Sequence, residues 1–278
     1  VEHHIQTNAT LIDDAWCDFF LEHDVHIGLS LDGPRSATAG RRLRSGGEAY
    51  DRIVAGIETL RRRGIPFAIL VVVSDPRPGL AEPLYRFLAD LGPTVIAVNL
   101  EEQEGVNRRP NAYAHDRVRA FWSELTAAWR RDPRVEVREV EWALRFAGAA
   151  LAGDADDLLP RRHDPIPTVG YDGRVVLLSP ELAGFTSDRY GDFAAGSVRD
   201  TPLDEIVAEA AARPTGWLAE YLAGVEACRA SCAYFGFCGG AHAANRYFEQ
   251  GRFDTTRTRH CLNSRIALLE GVLDHARG

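Results

Sequence analysis

Four of the five cysteines of this 278-residue chain fall in one stretch near its C-terminus. Cys228 and Cys232 are separated by three residues, Cys232 and Cys238 by five, and Cys261 follows after a further twenty-two. Thiolates at this spacing predict one tetrahedral all-sulfur site that holds an iron–sulfur cluster or a zinc ion, because soft thiolates select these metals. Two disulfides or four free thiols are the alternatives. The fifth cysteine, Cys17, lies in a predicted helix and is expected to be a buried apolar side chain rather than a ligand.

Composition argues against two broad classes of protein. A net charge of −8 disfavours a nucleic-acid-binding role, because the phosphate backbone attracts basic surfaces. No apolar run approaches the roughly eighteen residues of a membrane span, so no membrane partner is expected. The acidic chain also begins without a signal peptide, which predicts a cytoplasmic protein, where disulfides seldom persist. Because the chain contains no methionine, we do not expect Val1 to be the natural start.

The first half of the chain alternates strand and helix patterns. Strands are predicted at His4–Thr7, Val25–Leu31, Phe67–Val73 and Thr94–Leu100, and helices at Leu11–Leu21, Glu48–Arg63 and Leu80–Leu91. This order predicts right-handed βαβ units in an α/β fold, forming either an open curved sheet or half of a barrel. The β-branched run FAILVVV predicts a third strand buried on both faces. Asn8, Asp32, Ser74 and the glutamates from Glu101 then follow strand ends, at the edge where α/β proteins place active sites.

The second half shows shorter elements. Helices are predicted at Asp116–Arg131, Glu139–Leu151, Pro202–Ala211 and Ala241–Gln250, short strands at Val135–Val137 and Ala195–Val198, and a hairpin at Thr168–Leu178. The hairpin is predicted from an Asp-Gly pair between two β-like runs. A stretch rich in Asp, Arg and Pro between Gly153 and His163 indicates a domain boundary. We therefore divide the chain into 1–155 and 156–278.

Two segments resemble a known enzyme family. The run IQTNATLIDDAWCDFFLEHDVHIGLSLDGP is similar to the middle of the catalytic barrel of radical S-adenosylmethionine (SAM) enzymes of the sulfatase-maturase type. The C-terminal part is similar to their SPASM auxiliary-cluster domain: a hairpin precedes a Gly-x-x-x-Asp-x-x-Leu-like segment, Gly196 to Leu203, and then a cysteine run ending in Cys-Gly-Gly. Together these resemblances cover most of the chain. They imply strands three to six of a radical SAM (β/α) barrel, followed by a small α+β SPASM-type domain.

The sequence departs from the family pattern in two ways. The CxxxCxxC motif that holds the SAM-cleaving [4Fe–4S] cluster is absent from these 278 residues, so the resemblance implies that this chain alone does not cleave SAM. Leu178 and His242 stand where the auxiliary domain has cysteines, which leaves one auxiliary [4Fe–4S] cluster, with zinc as the alternative, at the four clustered cysteines. Ser179 replaces the Asp that serves as a base in sulfatase maturases, so that role does not transfer.

The resemblance also implies where SAM binds. Thr7, Asn8 and Ser30 match positions that line the SAM pocket. Short polar side chains at strand ends suit a zwitterionic ligand that carries a ribose. The alternative is a strand-end turn with an ordinary capping residue.

A cluster of glutamates follows the fourth predicted strand. The segment Glu101-Glu102-x-Glu104-Gly105 resembles members of the family from actinobacteria that modify ribosomally made peptides, including cyclophane formers. This resemblance implies that Glu101, Glu102 and Glu104 contact a peptide. A solvated loop is the alternative.

These implications give a leading hypothesis and an alternative. In the first, the chain is part of a radical SAM/SPASM maturase that modifies a ribosomally synthesised precursor peptide by hydrogen abstraction, followed by side-chain crosslinking or oxidation. SAM and a second [4Fe–4S] cluster then belong to the intact protein. In the second, the chain is a catalytically silent peptide-binding protein whose four-cysteine metal site only stabilises the fold. A CxxxCxxC motif upstream of Val1 in the gene would favour the enzyme.

Overall fold

The chain forms two compact units in a computed structural model that describes residues 1–110, 112–154, 165–214 and 216–275. The sheet unit consists of Val1–Glu101, Tyr113–Arg145 and Ala267–Gly278, and the cysteine unit consists of Glu102–Ala112 and Phe146–Ile266. The domain boundary predicted at 155/156 lies outside the described residues. The last helix belongs to the sheet unit although it follows the cysteines in sequence.

A five-stranded parallel sheet organises the sheet unit. Its strands are β1 (His3–Thr7), β2 (Val25–Ser30), β3 (Phe67–Val73), β4 (Val95–Leu100) and β5 (Glu136–Val137), side by side in chain order. Sequential order means that every crossover continues in one direction, as in a (β/α) barrel, and does not reverse as in a doubly wound sheet. This order confirms the predicted α/β class with a partial barrel.

Helices follow the strands of this sheet. They are α1 (Asp14–Glu22), α2 (Arg35–Thr38), α3 (Tyr50–Arg62), α4 (Ala81–Asp90), α5 (His115–Arg131) and α6 (Arg138–Ala152). Helix α1 begins where Oδ1 of Asp13 accepts a hydrogen bond from the backbone N–H of Trp16 at 2.9 Å, which satisfies one free amide of the first turn. Helix α3 ends at basic residues and Gly64, whose φ of 66° is the left-handed value that terminates helices.

The prediction that β3 is buried on both faces is wrong. Phe67, Ile69, Val71 and Val73 are at most 4% exposed, whereas Val72 on the opposite face is 36% exposed. The other residues of that face are half-buried. One side of the sheet is therefore closely covered and the other is partly open, which in a (β/α) barrel is the side that lines the interior.

The cysteine unit combines a small antiparallel sheet with short helices. Its strands β6 (Thr168–Val169), β7 (Arg174–Val176) and β8 (Ala194–Ser197) pair in chain order, and its helices are α7 (Leu203–Ala212), α8 (Gly216–Ser231), α9 (Phe235–Cys238), α10 (Ala243–Gln250) and α11 (Arg259–Cys261). The predicted hairpin joins β6 to β7, and Gly173 supplies the positive φ of 83° that its turn requires. Phe193, Trp217 and Phe253 are central to the apolar core that packs around α8.

A π-helical turn, Leu262–Ile266, leads into α12 (Ala267–Leu273), which packs on α5 within the sheet unit. A Cβ at Gly271 of α12 would lie 2.7 Å from Cβ of the fully buried Trp122 of α5. The two helices can therefore approach this closely only because residue 271 has no side chain. Within the described ranges, none of the helices combines the length and the apolarity that a membrane crossing needs.

Candidate functional site

All four clustered cysteines line one cavity of the cysteine unit. Cys228 lies near the end of α8, Cys232 follows that helix directly, Cys238 ends α9 and Cys261 ends α11. Cys228 is 7% exposed, the other three are half-buried, and each thiol is free of a disulfide. The structure therefore brings together the residues that the spacing singled out, and their role as metal ligands stays a prediction. Cys17 lies apart from them in α1 and is fully buried.

A left-handed turn after Cys238 forms part of the cavity wall. Gly239, Gly240 and Ala241 have φ values of 66°, 106° and 62°. Only glycine adopts such values without strain, so the alanine must be held there by its surroundings. The hydroxyl of Tyr221 donates a hydrogen bond to the carbonyl oxygen of Ala241 at 2.8 Å. The turn reverses the chain between α9 and α10, which explains why α10 begins later than predicted.

Hydrogen-bond donors point at two of the sulfurs. The backbone N–H of Thr258 lies 3.4 Å from Sγ of Cys261, and Nη2 of Arg246 lies 3.5 Å from Sγ of Cys228. Burial raises the pKa of both thiols, so their thiolate forms need compensating positive charge. Among the described residues, no group of three or more His, Cys, Asp or Glu side chains is placed to hold a single metal ion. Four thiols on one cavity, with donors directed at sulfur, fit the chemistry of a thiolate-bound cluster.

The residues predicted to line a SAM pocket lie at the carboxyl ends of neighbouring strands. Thr7 ends β1 and Ser30 ends the adjacent β2. Oγ1 of Thr7 accepts a hydrogen bond from the N–H of Ala9 at 3.2 Å, and Oδ1 of Asn8 accepts from the N–H and the hydroxyl of Thr10 at 3.2 and 2.9 Å. These side chains therefore stabilise the turn after β1, as the strand-end alternative describes.

Gln6 joins this group, although the sequence analysis did not name it. Its Nε2 donates a hydrogen bond to Oγ of Ser30 at 3.0 Å. A Cβ at Gly28 would lie 2.1 Å from Oε1 of Gln6, so the amide crosses the space left by the glycine. The period-two alternation of a strand was the signal for this residue, because it places Gln6, Gly28 and Ser30 on one face of the paired strands.

A cavity of about 270 Å³ opens at the same edge of the sheet, beside the loops after β2 and β3. Asp32 and Ser74, which the sequence placed after strand ends, are among the residues that line it. Nε and Nη2 of Arg41 donate to the two carboxylate oxygens of Asp32, each at 2.7 Å, and the N–H of Val72 donates to the same carboxylate at 3.2 Å. Asp32 thereby ties its own loop to β3.

The glutamates after β4 divide between the two units. Glu101 belongs to the sheet unit, and Glu102 and Glu104 belong to the cysteine unit. The side chain of Glu102 is 23% exposed; its Oε2 accepts a hydrogen bond from Nδ2 of Asn245 at 2.5 Å, and its Oε1 lies 3.2 Å from Nδ1 of His260. Glu102 is therefore held by two buried polar side chains and does not lie free in a solvated loop.

The pKa values of Glu102 and Glu104 are shifted in opposite directions. Burial raises the pKa of Glu104 to about 9, and the negative charges of Glu102 and Glu181 add to this effect. Burial also acts on Glu102, but the charge of His260 and the hydrogen bonds from His260 and Asn245 outweigh it and lower the pKa of Glu102. Glu104 is consequently the protonated partner at neutral pH, and it can donate a hydrogen bond to the Glu102 carboxylate.

Two histidines complete this polar cluster. The ring of His242, at the position where the family has a cysteine, lies 5.3 Å from the ring of His260. His242 keeps an exposed edge but is otherwise surrounded by protein atoms, and this desolvation, with the positive charges of His260 and Arg265, lowers its pKa to about 4. Its Nε2 lies 3.3 Å from Nη2 of Arg265, which suits a neutral imidazole that accepts a hydrogen bond.

Comparison with known proteins gives matches over both units. The radical SAM superfamily profile matches residues 1–75. The uncharacterized protein sll1766 of Synechocystis sp. is 29% identical over 265 residues, which are 94% of this chain and 66% of that protein. The serine-type anaerobic sulfatase-maturating enzyme of Klebsiella aerogenes is 31% identical over 153 residues, which are 52% of this chain and 38% of that enzyme. The chain thus spans less than two thirds of the length of either relative.

A solved structure shows the same fold. Native anSMEcpe with bound AdoMet and Cp18Cys peptide superposes with a TM-score of 0.71 over 99% of this chain and 74% of that chain, at 19% identity. At this identity the similarity is evidence for the fold alone. The sequence matches support a radical SAM, sulfatase-maturase-like protein, and the fold match agrees with them.

Proposed function

We propose that this chain is the barrel half and the auxiliary-cluster domain of a maturase that modifies a ribosomally made precursor peptide in the cytoplasm. The observation that carries the proposal is the single cavity on which Cys228, Cys232, Cys238 and Cys261 meet. Cysteines from three helices and one loop converge there, which a fold without a metal would have no reason to arrange. The five free thiols of the chain are compatible with a reducing compartment.

The four cysteines are proposed to hold one auxiliary [4Fe–4S] cluster. When bound, SAM and the two clusters supply a hydrogen-abstracting radical and an acceptor for the electron left after crosslinking or oxidation. The residues of this chain bind and shield these groups. Thr258 and Arg246 donate hydrogen bonds to sulfur, and the apolar core around α8 limits the access of water.

The edge formed by β1 and β2 is proposed to hold SAM. Thr7, Asn8, Ser30 and Gln6 gather hydroxyl and amide groups at the carboxyl ends of two parallel strands. Such groups suit the ribose and the amino-acid part of the ligand, because both need short polar contacts rather than a large apolar surface. Bound AdoMet in anSMEcpe, which shares the fold, is consistent with this proposal.

A peptide is the proposed substrate, with Glu101, Glu102 and Glu104 as its contacts. The structure of anSMEcpe with a bound Cp18Cys peptide supports a peptide substrate for this fold. Because Glu102 is held by Asn245 and His260, its carboxylate is oriented before any peptide arrives. The charged Glu102 suits a basic or amide group of a peptide, and Glu104, whose one O–H is directed at Glu102, can accept a hydrogen bond from a peptide N–H through its carbonyl oxygen.

Metal reconstitution tests the proposal. The protein is loaded anaerobically with iron and sulfide, and iron, sulfide and zinc are quantified next to the visible absorbance. We expect about four irons per chain with the broad absorbance of a thiolate-bound cluster. The variant Cys238→Ala is expected to lose the cluster, whereas Cys17→Ala is expected to keep it, because Cys17 lies in the other unit.

Two results would reject parts of this proposal. One equivalent of zinc without visible absorbance would replace the cluster by a structural zinc and favour the silent peptide-binding protein. Full metal content in Cys238→Ala would show that the four cysteines are not the ligands.

A further inference from the structure

One arginine of the cysteine unit is buried like an apolar core residue. Arg246 lies on α10, and only 1% of its surface is exposed. Arginine is rarely buried so completely unless a partner balances its charge, because taking a charged group out of water is costly. The partners of Arg246 therefore indicate its role.

The guanidinium makes hydrogen bonds with neutral groups. Nη1 donates to the carbonyl oxygens of Tyr221 and Phe253 at 3.3 and 2.8 Å, and Nη2 donates to that of Gly240 at 2.6 Å and to Sγ of Cys228 at 3.5 Å. The guanidinium carbon also lies 4.9 Å from the centre of the Tyr221 ring. In the part of the chain that the structure describes, the ion pairs do not include Arg246. The cation thus has hydrogen bonds but no carboxylate partner there.

The surroundings of Arg246 reserve space for it. A Cβ at Gly224, in the middle of α8, would lie 2.2 Å from Nη1 and 2.7 Å from Cα of Asp254. The helix therefore includes a glycine, which weakens a helix, where the guanidinium passes. The carboxylate of Asp254 is bound to Arg252. The four-cysteine site, whose Cys228 sulfur accepts a hydrogen bond from Arg246, is the remaining strong candidate for the missing negative charge.

We propose that Arg246 is the counter-charge of the cluster held by the four cysteines and that it raises the reduction potential of this cluster. The inference rests on the cluster of the proposed function. Four thiolates bring more negative charge than an iron–sulfur core neutralises, and reduction adds one electron to the site. A guanidinium beside Sγ of Cys228 stabilises the more negative, reduced state. Arg246 therefore makes the cluster a better electron acceptor without itself touching a substrate.

Three variants of the 278-residue chain separate charge from packing. Arg246→Gln keeps hydrogen-bond donors without the charge, and Arg246→Lys keeps the charge without the planar fork. Arg252→Gln is the matched control, because Arg252 is an arginine of the same segment with a side chain that is 54% exposed. Each protein is reconstituted anaerobically. Iron content, circular dichroism and the midpoint potential of the cluster, from a redox titration followed by electron paramagnetic resonance, are then measured.

We expect Arg246→Gln to retain the cluster and to shift its reduction equilibrium at least tenfold towards the oxidised form, which is about 59 mV for one electron. Arg246→Lys should stay closer to the wild-type potential, and Arg252→Gln should match it. Loss of iron from Arg246→Gln, with an unchanged fold and with iron retained by Arg246→Lys, would also support the need for a positive charge.

Three other results would contradict the proposed role of Arg246. An iron-loaded Arg246→Gln protein at the wild-type potential overturns the inference. Loss of iron from both Arg246→Gln and Arg246→Lys overturns it as well, because the guanidinium would then act through packing. Wild-type protein that binds no iron–sulfur cluster overturns the proposed function and the inference together, and this result is visible before any variant is made.

Discussion

Replacing Glu104 by glutamine is expected to stabilise the protein, by an amount that grows with pH. Burial raises the pKa of Glu104 to about 9, and the charges of Glu102, Glu181 and Glu249 contribute to the increase. The protonated carboxyl is hydrogen-bonded to Glu102. Glutamine has the same size, keeps an N–H donor for the Glu102 carboxylate and never ionises, so the substitution removes the titration and preserves the contact.

The direction in which stability changes with pH follows from how many protons Glu104 binds in the folded and in the unfolded chain. Below about pH 4.5 the Glu104 carboxyl is protonated in both the folded and the unfolded chain, and its contribution to stability is complete. Between this pH and about 9 the unfolded chain has released the proton and the folded chain has not. The free energy of unfolding of the wild-type protein therefore falls as the pH rises, by up to about 1.4 kcal/mol per pH unit. At pH 7 the accumulated loss is at most about 3 kcal/mol, and Glu104→Gln avoids it.

Urea unfolding at a series of pH values between about 5 and about 9 measures this difference. Fluorescence and circular dichroism are followed together, because a chain with two units need not unfold in one step. The control is Glu205→Gln, an exposed glutamate on α7, which is expected to follow the wild-type curve at every pH. A stability difference between Glu104→Gln and wild type that does not change with pH would show that the pKa of Glu104 is not raised in the folded protein.

Three further outcomes are expected. With SAM and dithionite, the reconstituted 278-residue chain should form no 5'-deoxyadenosine above a cluster-free control by chromatography; turnover would contradict the absence of the CxxxCxxC motif from these residues as the reason for inactivity. Asp32→Ala should destabilise the protein by about 1–3 kcal/mol in urea, and by more than Arg41→Ala, because it also frees the N–H of Val72; equal losses would refute that bond. Trp122→Ala should lower the free energy of unfolding by about 3–5 kcal/mol in the same assay, and Trp16→Ala by far less, because Trp16 is 45% exposed. Similar losses for the two variants would mean that the packing of α12 on Trp122 does not stabilise the protein.

The parallel sheet was predictable because its strands are local patterns bounded by local breaks. The strand at Phe67–Val73 has the predicted ends, and a strand was found at Glu136–Val137 where Val135–Val137 had been predicted. What failed was the burial of the second face of β3. A run of β-branched residues predicts that a strand forms. Whether helices or other segments cover each face of that strand depends on elements far away in sequence.

The polar cluster of the cysteine unit was not predictable for the same reason. Glu102 meets Asn245, which lies 143 positions further along the chain, and it also meets His260. No period or spacing links an acidic loop to one amide on a short helix and one imidazole on another. The sequence therefore allowed only a solvated loop or a substrate contact for Glu102, and its contacts with Asn245 and His260 became visible once the fold had placed both partners.

Arg246 differs, because the sequence did contain a signal for it. A prediction of four metal-bound thiolates is also a prediction of excess negative charge in a poorly hydrated place, and such charge requires a donor or a cation nearby. The segment after Cys-Gly-Gly is AHAANRYFEQ, and its single arginine, Arg246, follows Ala-Ala-Asn and precedes two aromatic residues. An arginine with such neighbours is poorly suited to a solvated surface. A ligand set predicted from spacing should therefore be followed by a search for its counter-charge, and here that search leads to Arg246, which the fold buries against Cys228.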